Sequence, residues 1–253
     1  MIKRHYLLLA GYKAYSDLKA EASRGFLGVT WWVIEPILYM GVFYFAFGMM
    51  FSRGEGDYVS FLLCGLVAWK WFAGSVATGC SSIIAHRGII RLVYVPKYVF
   101  PLASMLSGTA KFIVVFVLLI AYLLYVGYVP NRSWLWLPAL LLLQFFLALG
   151  VSGILASLTP FFPDLRGLTE SALMLLFFLS GIFFDIEKID GEAASWLFLN
   201  PLASLINAYR SILIEEAFDA SVLLYPALIS AALLVLSILL LVRFDRQYSK
   251  VIQ

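Results

Sequence analysis

The stretch ASWLFLNPLASLINAYRSILIEE, residues 194–216, is oily enough for a membrane, yet Asn200-Pro201 breaks it and Arg210, Glu215 and Glu216 close it. A helix needs about 20 unbroken apolar residues to cross a bilayer. Non-helical backbone at membrane depth persists only when it is buried in protein or lines a wet cavity. The segment therefore reads as a re-entrant hairpin, with half-helices near Glu192–Leu199 and Leu202–Glu216. Pro201 suits the first helical position of the second half, with Asn200 as its cap. A surface-lying amphipathic hairpin is the simpler alternative. Either way the remainder of the chain must supply the bundle that holds it.

Composition supports that setting. The chain has 253 residues, of which 63% are hydrophobic and 13% charged, with a mean hydropathy of +0.94. Lipid is the solvent for most of it, and no soluble domain is left once the apolar runs are removed. A net charge of +3, widely dispersed, does not suit nucleic acid. Tyr6–Ala10 is too short for the apolar core of a signal peptide. Cys64 and Cys80 lie in one apolar run, about 24 Å apart along a helix and on nearly opposite faces, so they cannot bridge within it. They read as buried thiols without redox work.

Six runs are long enough to span: Trp31–Phe51, Val59–Ala85, Ala103–Val129, Leu135–Leu158, Leu168–Phe184 and Ser221–Val242. An even count places both ends on one side. Twelve of the eighteen Lys and Arg residues fall on the side of the termini, four on the other, while Lys70 and Lys111 lie inside spans. The positive-inside bias makes the terminal side cytoplasmic, and the 194–216 hairpin external. The fold class is thus an all-α membrane protein with six transmembrane helices.

Two cytoplasmic pieces look built. Leu8, Tyr12, Tyr15, Leu18 and Ala22 share one helical face, and Lys13, Asp17, Glu21 and Arg24 the opposite one. That predicts an amphipathic interface helix, with a solvated tail as the alternative. HRGIIRLVYVPKYVFP, residues 86–101, alternates basic and bulky apolar residues and carries Pro96 and Pro101. It is too charged to span and too apolar to be a loose loop, so it packs against something in the cytoplasm.

Enzyme signatures are missing. There is no H-E-x-x-H, no metal-spaced Cys and His cluster, no G-x-S-x-G and no phosphate loop, and the histidines are His5 and His86 alone. No catalytic residue, metal site or cofactor of its own is predicted. Among ionisable groups only Glu35, Lys70 and Lys111 sit well inside spans, which suits a conduit better than a catalyst.

The motifs, taken in order, resemble the permeases of polysaccharide-exporting ABC transporters. RGFLGVTWWVIEPI (24–37) is similar to their first-span start and FLLCGLVAWKWFAGSV (61–76) to their second span. RLVYVPKYVFPLAS (91–104) resembles their cytoplasmic segment with two spaced prolines. FFPDLRGL (161–168) resembles the turn after span four, with Pro163 where arginine is usual and Arg166 the nearest substitute. SGIFFDI (180–186) and FLNPLASLINAYRSILI (198–214) are similar to the outer hairpin. The nearest branch exports O-antigen polysaccharide on an undecaprenyl carrier, with capsule and teichoic-acid exporters as relatives.

The resemblance implies one transmembrane domain over residues 1–253: a cytoplasmic interface helix within 1–28 and a six-span bundle over 29–253. It implies a homodimer in the bacterial inner membrane served by two phosphate-loop ATPase subunits, which bind the ATP and Mg. The interface helix and the 86–101 coupling segment between spans two and three would rest on those ATPases, through Tyr12, Tyr15, His86, Arg87 and Arg91. Aromatic rings offer flat faces to sugar C–H groups. Trp32, Tyr39, Phe43 and Phe47 in the first span share a stripe with Pro36, and Met174, Phe177, Gly181 and Phe184 share one in the fifth. These stripes are candidate channel walls; packing against lipid or other helices is the alternative. Lys70 and Lys111 are candidate contacts to the carrier's pyrophosphate, or else pair with Glu35 or snorkel to water. Trp196, Asn200, Pro201, Tyr209 and Arg210 form a candidate outer gate, with Arg210 equally able to pair with Glu215, Glu216 and Asp219. Exporters of small lipophiles, membrane acyl or glycosyl transferases and ion-coupled carriers are the competing classes. The last would show paired broken helices, and the chain has one.

Overall fold

A computed structural model describes residues 4–24, 28–50, 58–189, 196–215, 218–245 and 247–248, with backbone alone described at 4, 24, 29, 43 and 46–50. All regular structure among the described residues is helical. The main helices are α1 (Arg4–Arg24), α2 (Trp31–Met50), α3 (Tyr58–Cys80), α4 (Ser82–Ala85), α5 (Arg87–Leu92), α6 (Val99–Val126), α7 (Leu137–Leu158), α8 (Leu165–Leu179), α9 (Pro201–Leu213) and α10 (Leu224–Phe244). Among the described residues four helical stretches are long and apolar enough to cross a membrane: Tyr58–Cys80, Val99–Val126, Arg132–Leu158 and Ala220–Phe244. The protein is therefore an all-helical, multi-pass membrane protein.

The expected fifth span is shorter than its sequence suggests. α8 has 15 residues. That is about 22 Å at 1.5 Å per residue, against a hydrocarbon core of about 30 Å. The helix stops because the chain turns at Gly181, whose φ of +66° is left-handed and strained for any side chain. Phe184 lies beyond this turn, so it does not continue the stripe of Met174 and Phe177. The expected second span, Val59–Ala85, is likewise divided, since α3 ends at Cys80 and α4 starts at Ser82.

α3 is the hub. Its residues Leu62 through Trp69 are all buried, and it packs on α6, α7, α8 and α9. In lipid, helices gain nothing by hiding oil from oil, so close packing and interhelical hydrogen bonds hold them together. Gly150 and Gly153 of α7 supply the close approach to α10: a Cβ on Gly153 would collide with Ser237 Oγ, and one on Gly150 would lie 2.9 Å from the Leu234 nitrogen. Gln144, buried on α7, donates from Nε2 to the Ala68 carbonyl of α3 at 2.8 Å. Cys64 and Cys80 are buried and unbridged.

α1 runs beside α6, but not by the face that its hydrophobicity suggests. Leu8, Tyr12 and Tyr15 point away from the bundle, 56%, 73% and 66% exposed. Ala10 and Ala14 are buried instead. Ser107 Oγ of α6 donates to the Ala14 carbonyl at 3.2 Å, and Lys111 of α6 pairs with Glu21 at 2.8 Å. Small alanines admit the close approach that tyrosines would block, and the polar contacts then lock it.

Candidate functional site

Lys70 of α3 stands between two cavities. Its Nζ lies 3.4 Å from Glu35 Oε1 of α2 and 3.7 Å from the centre of the Tyr39 ring. On one side, α1, α2, α3 and α6 enclose about 390 Å³, walled by Trp31, Trp32, Pro36, Tyr39, Trp71 and Phe112 and edged by Asp17, Glu21, Glu35 and Lys111. Trp71 and Phe112 stack nearly flat, 4.0 Å between centres. On the other side, about 500 Å³ lies between α2, α3 and α8, lined by Trp69, Leu173, Met174 and Phe177 as well as by Glu35, Tyr39 and Lys70.

The candidate channel residues thus divide. Trp32 and Tyr39 face the first cavity, and Tyr39 and Phe177 the second, where Phe177 packs 5.6 Å from Trp69. The side chains of Phe43 and Phe47 are outside the described residues. The two candidate cations also differ. Lys70 has the Glu35 pairing weighed from sequence, in a long single contact. Lys111 reaches both oxygens of Glu21, at 2.9 and 2.8 Å, and ties α6 to α1. Trp71, Phe112 and Glu21 escaped sequence reasoning because they belong to three different helices and share no periodic pattern.

Around Arg210 the structure gives partners other than the acidic cluster weighed from the sequence. Arg210 of α9 is buried, and it bonds backbone carbonyls rather than Glu215 or Asp219. Its Nη1 donates to the Gly181 carbonyl at 2.8 Å, Nη2 to Ile182 at 2.8 Å and Nε to Phe61 at 3.1 Å. The guanidinium lies 3.4 Å over the Phe61 ring. Gly65 makes room, since a Cβ there would sit 2.8 Å from Nη2. Two carbonyls of the turn that follows α8 and one of α3 are therefore met by one arginine from α9. Asn200 caps α9 as its sequence predicts, accepting from the Leu202 N–H at 3.1 Å, while its Nδ2 donates to Ser180 Oγ at 2.9 Å. Of the 13 residues of α9 only Pro201, Asn207 and Ser211 escape full burial, and Tyr209 and Arg210 are both buried. Trp196 is 71% exposed on the other arm. Residues 192–195 and Glu216 of the two expected half-helices are outside the described residues.

Of the candidate ATPase contacts, Arg87 and Arg91 are exposed, as are Tyr12 and Tyr15. His86 is half-buried, its Nδ1 2.7 Å from the Ser82 carbonyl and its ring stacked on Phe100. Leu92, Val93 and Tyr94 add an exposed apolar ridge that charge patterning alone did not suggest. Lys97, 1% exposed, is held by the chain's far end: Asp245 Oδ1 accepts from its backbone N–H at 3.2 Å and lies 3.9 Å from Nζ, while Oδ2 accepts from Tyr94 Oη at 2.5 Å. Burial lowers the Lys97 pKa, and Asp245 partly restores it. Among the described residues no three His, Cys, Asp or Glu converge to hold a metal ion.

Residues 17–214 match the family of ABC-2 type transporters. The chain belongs to that family. The matched stretch includes both cavities and the Arg210 cluster. Among ABC-2 relatives, an O-antigen export system permease protein of Klebsiella pneumoniae is 31% identical over 205 residues, covering 80% of this chain and 79% of its own. A protein of the same description from Myxococcus xanthus is 29% identical over 221 residues, 86% of this chain and 85% of its own. A polysialic acid transport protein of Escherichia coli is 25% identical over 197 residues, 77% and 76%.

Proposed function

We propose that this ABC-2 permease is the membrane channel subunit of an ATP-driven exporter that carries undecaprenyl-linked polysaccharide of O-antigen type across the bacterial inner membrane. The observation that carries this reading is the 31% identity, over about four-fifths of both chains, to a permease described by O-antigen export. Residues 1–253 act as one transmembrane domain. Six spans are counted when α2 and α8, the latter extended by its 180–184 turn, join the four longer helices, which leaves both termini in the cytoplasm. Two copies form the pathway and two separate phosphate-loop ATPases, holding ATP and Mg, drive it. This chain needs no cofactor. α1, lying at the inner surface, and the 86–101 segment meet those ATPases through Tyr12, Tyr15, Arg87, Arg91 and the Leu92–Tyr94 ridge, with His86 bracing the segment from behind.

The aromatic walls built by Trp32, Tyr39 and Phe177 line the route, together with Phe43 and Phe47 further along α2, and offer sugar rings flat contacts weak enough to slide over. At the exit the hairpin is re-entrant. α9 is its fixed arm, anchored by Arg210, and the arm carrying Trp196 and ending at Asn200-Pro201 is the gate. Export of capsular polysaccharide is the second reading, favoured by the 25% identity to a polysialic acid transport protein.

The test is deletion and complementation combined with purification through a C-terminal tag. Loss of surface O-antigen on deletion, with polymer accumulating in the cytoplasm, and recovery of an ATPase at about equal stoichiometry are expected. A chain that purifies alone in several detergents, from cells with normal surface polysaccharide, would overturn the proposal.

A further inference from the structure

We infer that Lys70 is the cation that receives a phosphate-bearing lipid headgroup, that Glu35 is its displaceable counter-ion, and that the pair forms a partition between the two cavities. The inference rests on the proposed function, in that it supposes a lipid-linked substrate.

Among the described residues the carboxylates that line the first cavity are all paired, Asp17 with Lys13, Glu21 with Lys111 and Glu35 with Lys70. A cation of the site becomes free for another anion when one of these pairs opens. Two of the three pairs are fixed. Lys13 and Asp17 share one helix, a turn apart. Lys111 holds both Glu21 oxygens at 2.9 and 2.8 Å, the range of a strong charge-assisted bond, beside the Ser107–Ala14 bond that joins the same two helices. The third is loose. Lys70 and Glu35 share one contact, at 3.4 Å, where Lys111 makes two short ones, so Glu35 is the carboxylate most readily exchanged for another anion.

Lys70 also has the placement for a relay. Lys70, Glu35 and Tyr39 are lining residues of both cavities. The Tyr39 ring face, 3.7 Å from Nζ, keeps the ammonium at the boundary while its anion changes. Further donors are at hand: the Trp71 and Ser75 side chains line the first cavity, are 5% and 2% exposed, and their Nε1 and Oγ have no hydrogen-bond partner. Leaving a buried polar group unpartnered is unfavourable, and a ligand oxygen would relieve it. Headgroup phosphate would thus be drawn from the α1–α6 side, displace Glu35 and pass toward α8, with the aromatic walls of the first cavity receiving the attached sugar.

The test uses the permease–ATPase complex in nanodiscs of neutral lipid and measures binding of undecaprenyl pyrophosphate, of undecaprenol and of phosphatidylglycerol. Wild type is expected to bind the pyrophosphate at least about tenfold more tightly than undecaprenol. Lys70→Met should lose about tenfold or more, Lys70→Arg should retain most of the affinity, and Glu35→Gln should gain a few fold, since the competing anion is gone. Lys111→Met combined with Glu21→Gln, which removes the pair without leaving a bare carboxylate, should weaken binding far less than Lys70→Met does. Competition by phosphatidylglycerol would assign the site to bulk lipid, and its absence to the carrier; the phosphate chemistry is the same. Binding that survives Lys70→Met, or falls equally in the Lys111→Met, Glu21→Gln double variant, overturns the inference. Wild type that shows no preference for pyrophosphate over undecaprenol, in a complex that exports no polymer, instead defeats the proposed function.

Discussion

Replacing Arg210 with methionine removes the clamp that joins α9 to α3 and to the turn after α8. Methionine keeps the length of the side chain and fits an apolar site, so packing is largely retained. What is lost is hydrogen bonding: the carbonyls of Phe61, Gly181 and Ile182 each lose a charged donor at 3.1, 2.8 and 2.8 Å. A buried unsatisfied polar group costs about 1–3 kcal/mol. Taking the low end for each carbonyl, because one further lone pair is tolerated more easily than a stranded N–H, gives about 3 kcal/mol. The loss of the cation–π contact with Phe61 adds about 0.5–1 kcal/mol. The desolvation penalty of a buried charge is recovered and offsets part of this. The net expectation of about 3 kcal/mol corresponds to a melting point lowered by about 6–12 °C for a chain of this size. A thiol-reactive fluorophore can read it, since Cys64 and Cys80 are the chain's two cysteines and both are buried until the bundle opens. Arg210→Lys should fall between, because one ammonium cannot reach three carbonyls and stack as well. Gly65→Ala should destabilise wild type, where its Cβ would lie 2.8 Å from Nη2, yet be tolerated beside Arg210→Met. Arg210→Met melting within about 2 °C of wild type, with additive Gly65→Ala, refutes the clamp.

Four further outcomes are expected. Gly153→Val should separate α7 from α10, lowering the yield of assembled protein, and Ser237→Gly in the same chain should restore part of it, as membrane-fraction yields will show. Asp245→Ala strands the buried Lys97 and unfastens the 94–98 turn from α10, so polymer exported per ATP hydrolysed should fall while Lys97→Met, Asp245→Ala together recovers stability. Lys97 also sets a pH response. Its folded-state pKa lies below the usual 10.5, so between that lowered value and 10.5 the unfolded chain holds more protons and wild type should gain stability with rising pH. Lys97→Met should lack that gain in the same melting assay. Finally, Tyr39→Leu with Phe43→Leu should slow polysaccharide export with assembly intact; undiminished export would remove α2 from the channel wall.

Local patterns in the sequence determined the helical class, the apolar runs that the four membrane-length helices occupy, and the Asn200 cap with Pro201 behind it. These follow from the bilayer's thickness, from helical periodicity and from the chemistry of one or two adjacent residues, none of which needs a distant partner. Tertiary structure decided the pairings. Arg210 has three acidic residues within ten positions, yet it takes carbonyls from Phe61, 149 positions away, and from the turn at Gly181. Lys111 meets Glu21 across 90 positions rather than the Glu35 that intramembrane depth proposed. α1 turns Tyr12 and Tyr15 outward because its close approach to α6 is made by Ala10 and Ala14. A buried charge goes to whichever acceptors the packed helices bring to it, and helix packing depends on small residues whose individual positions carry no periodic signal. The end of α8 is the same case, for a glycine in an apolar run reads as a packing residue until the chain is seen to turn there with a positive φ.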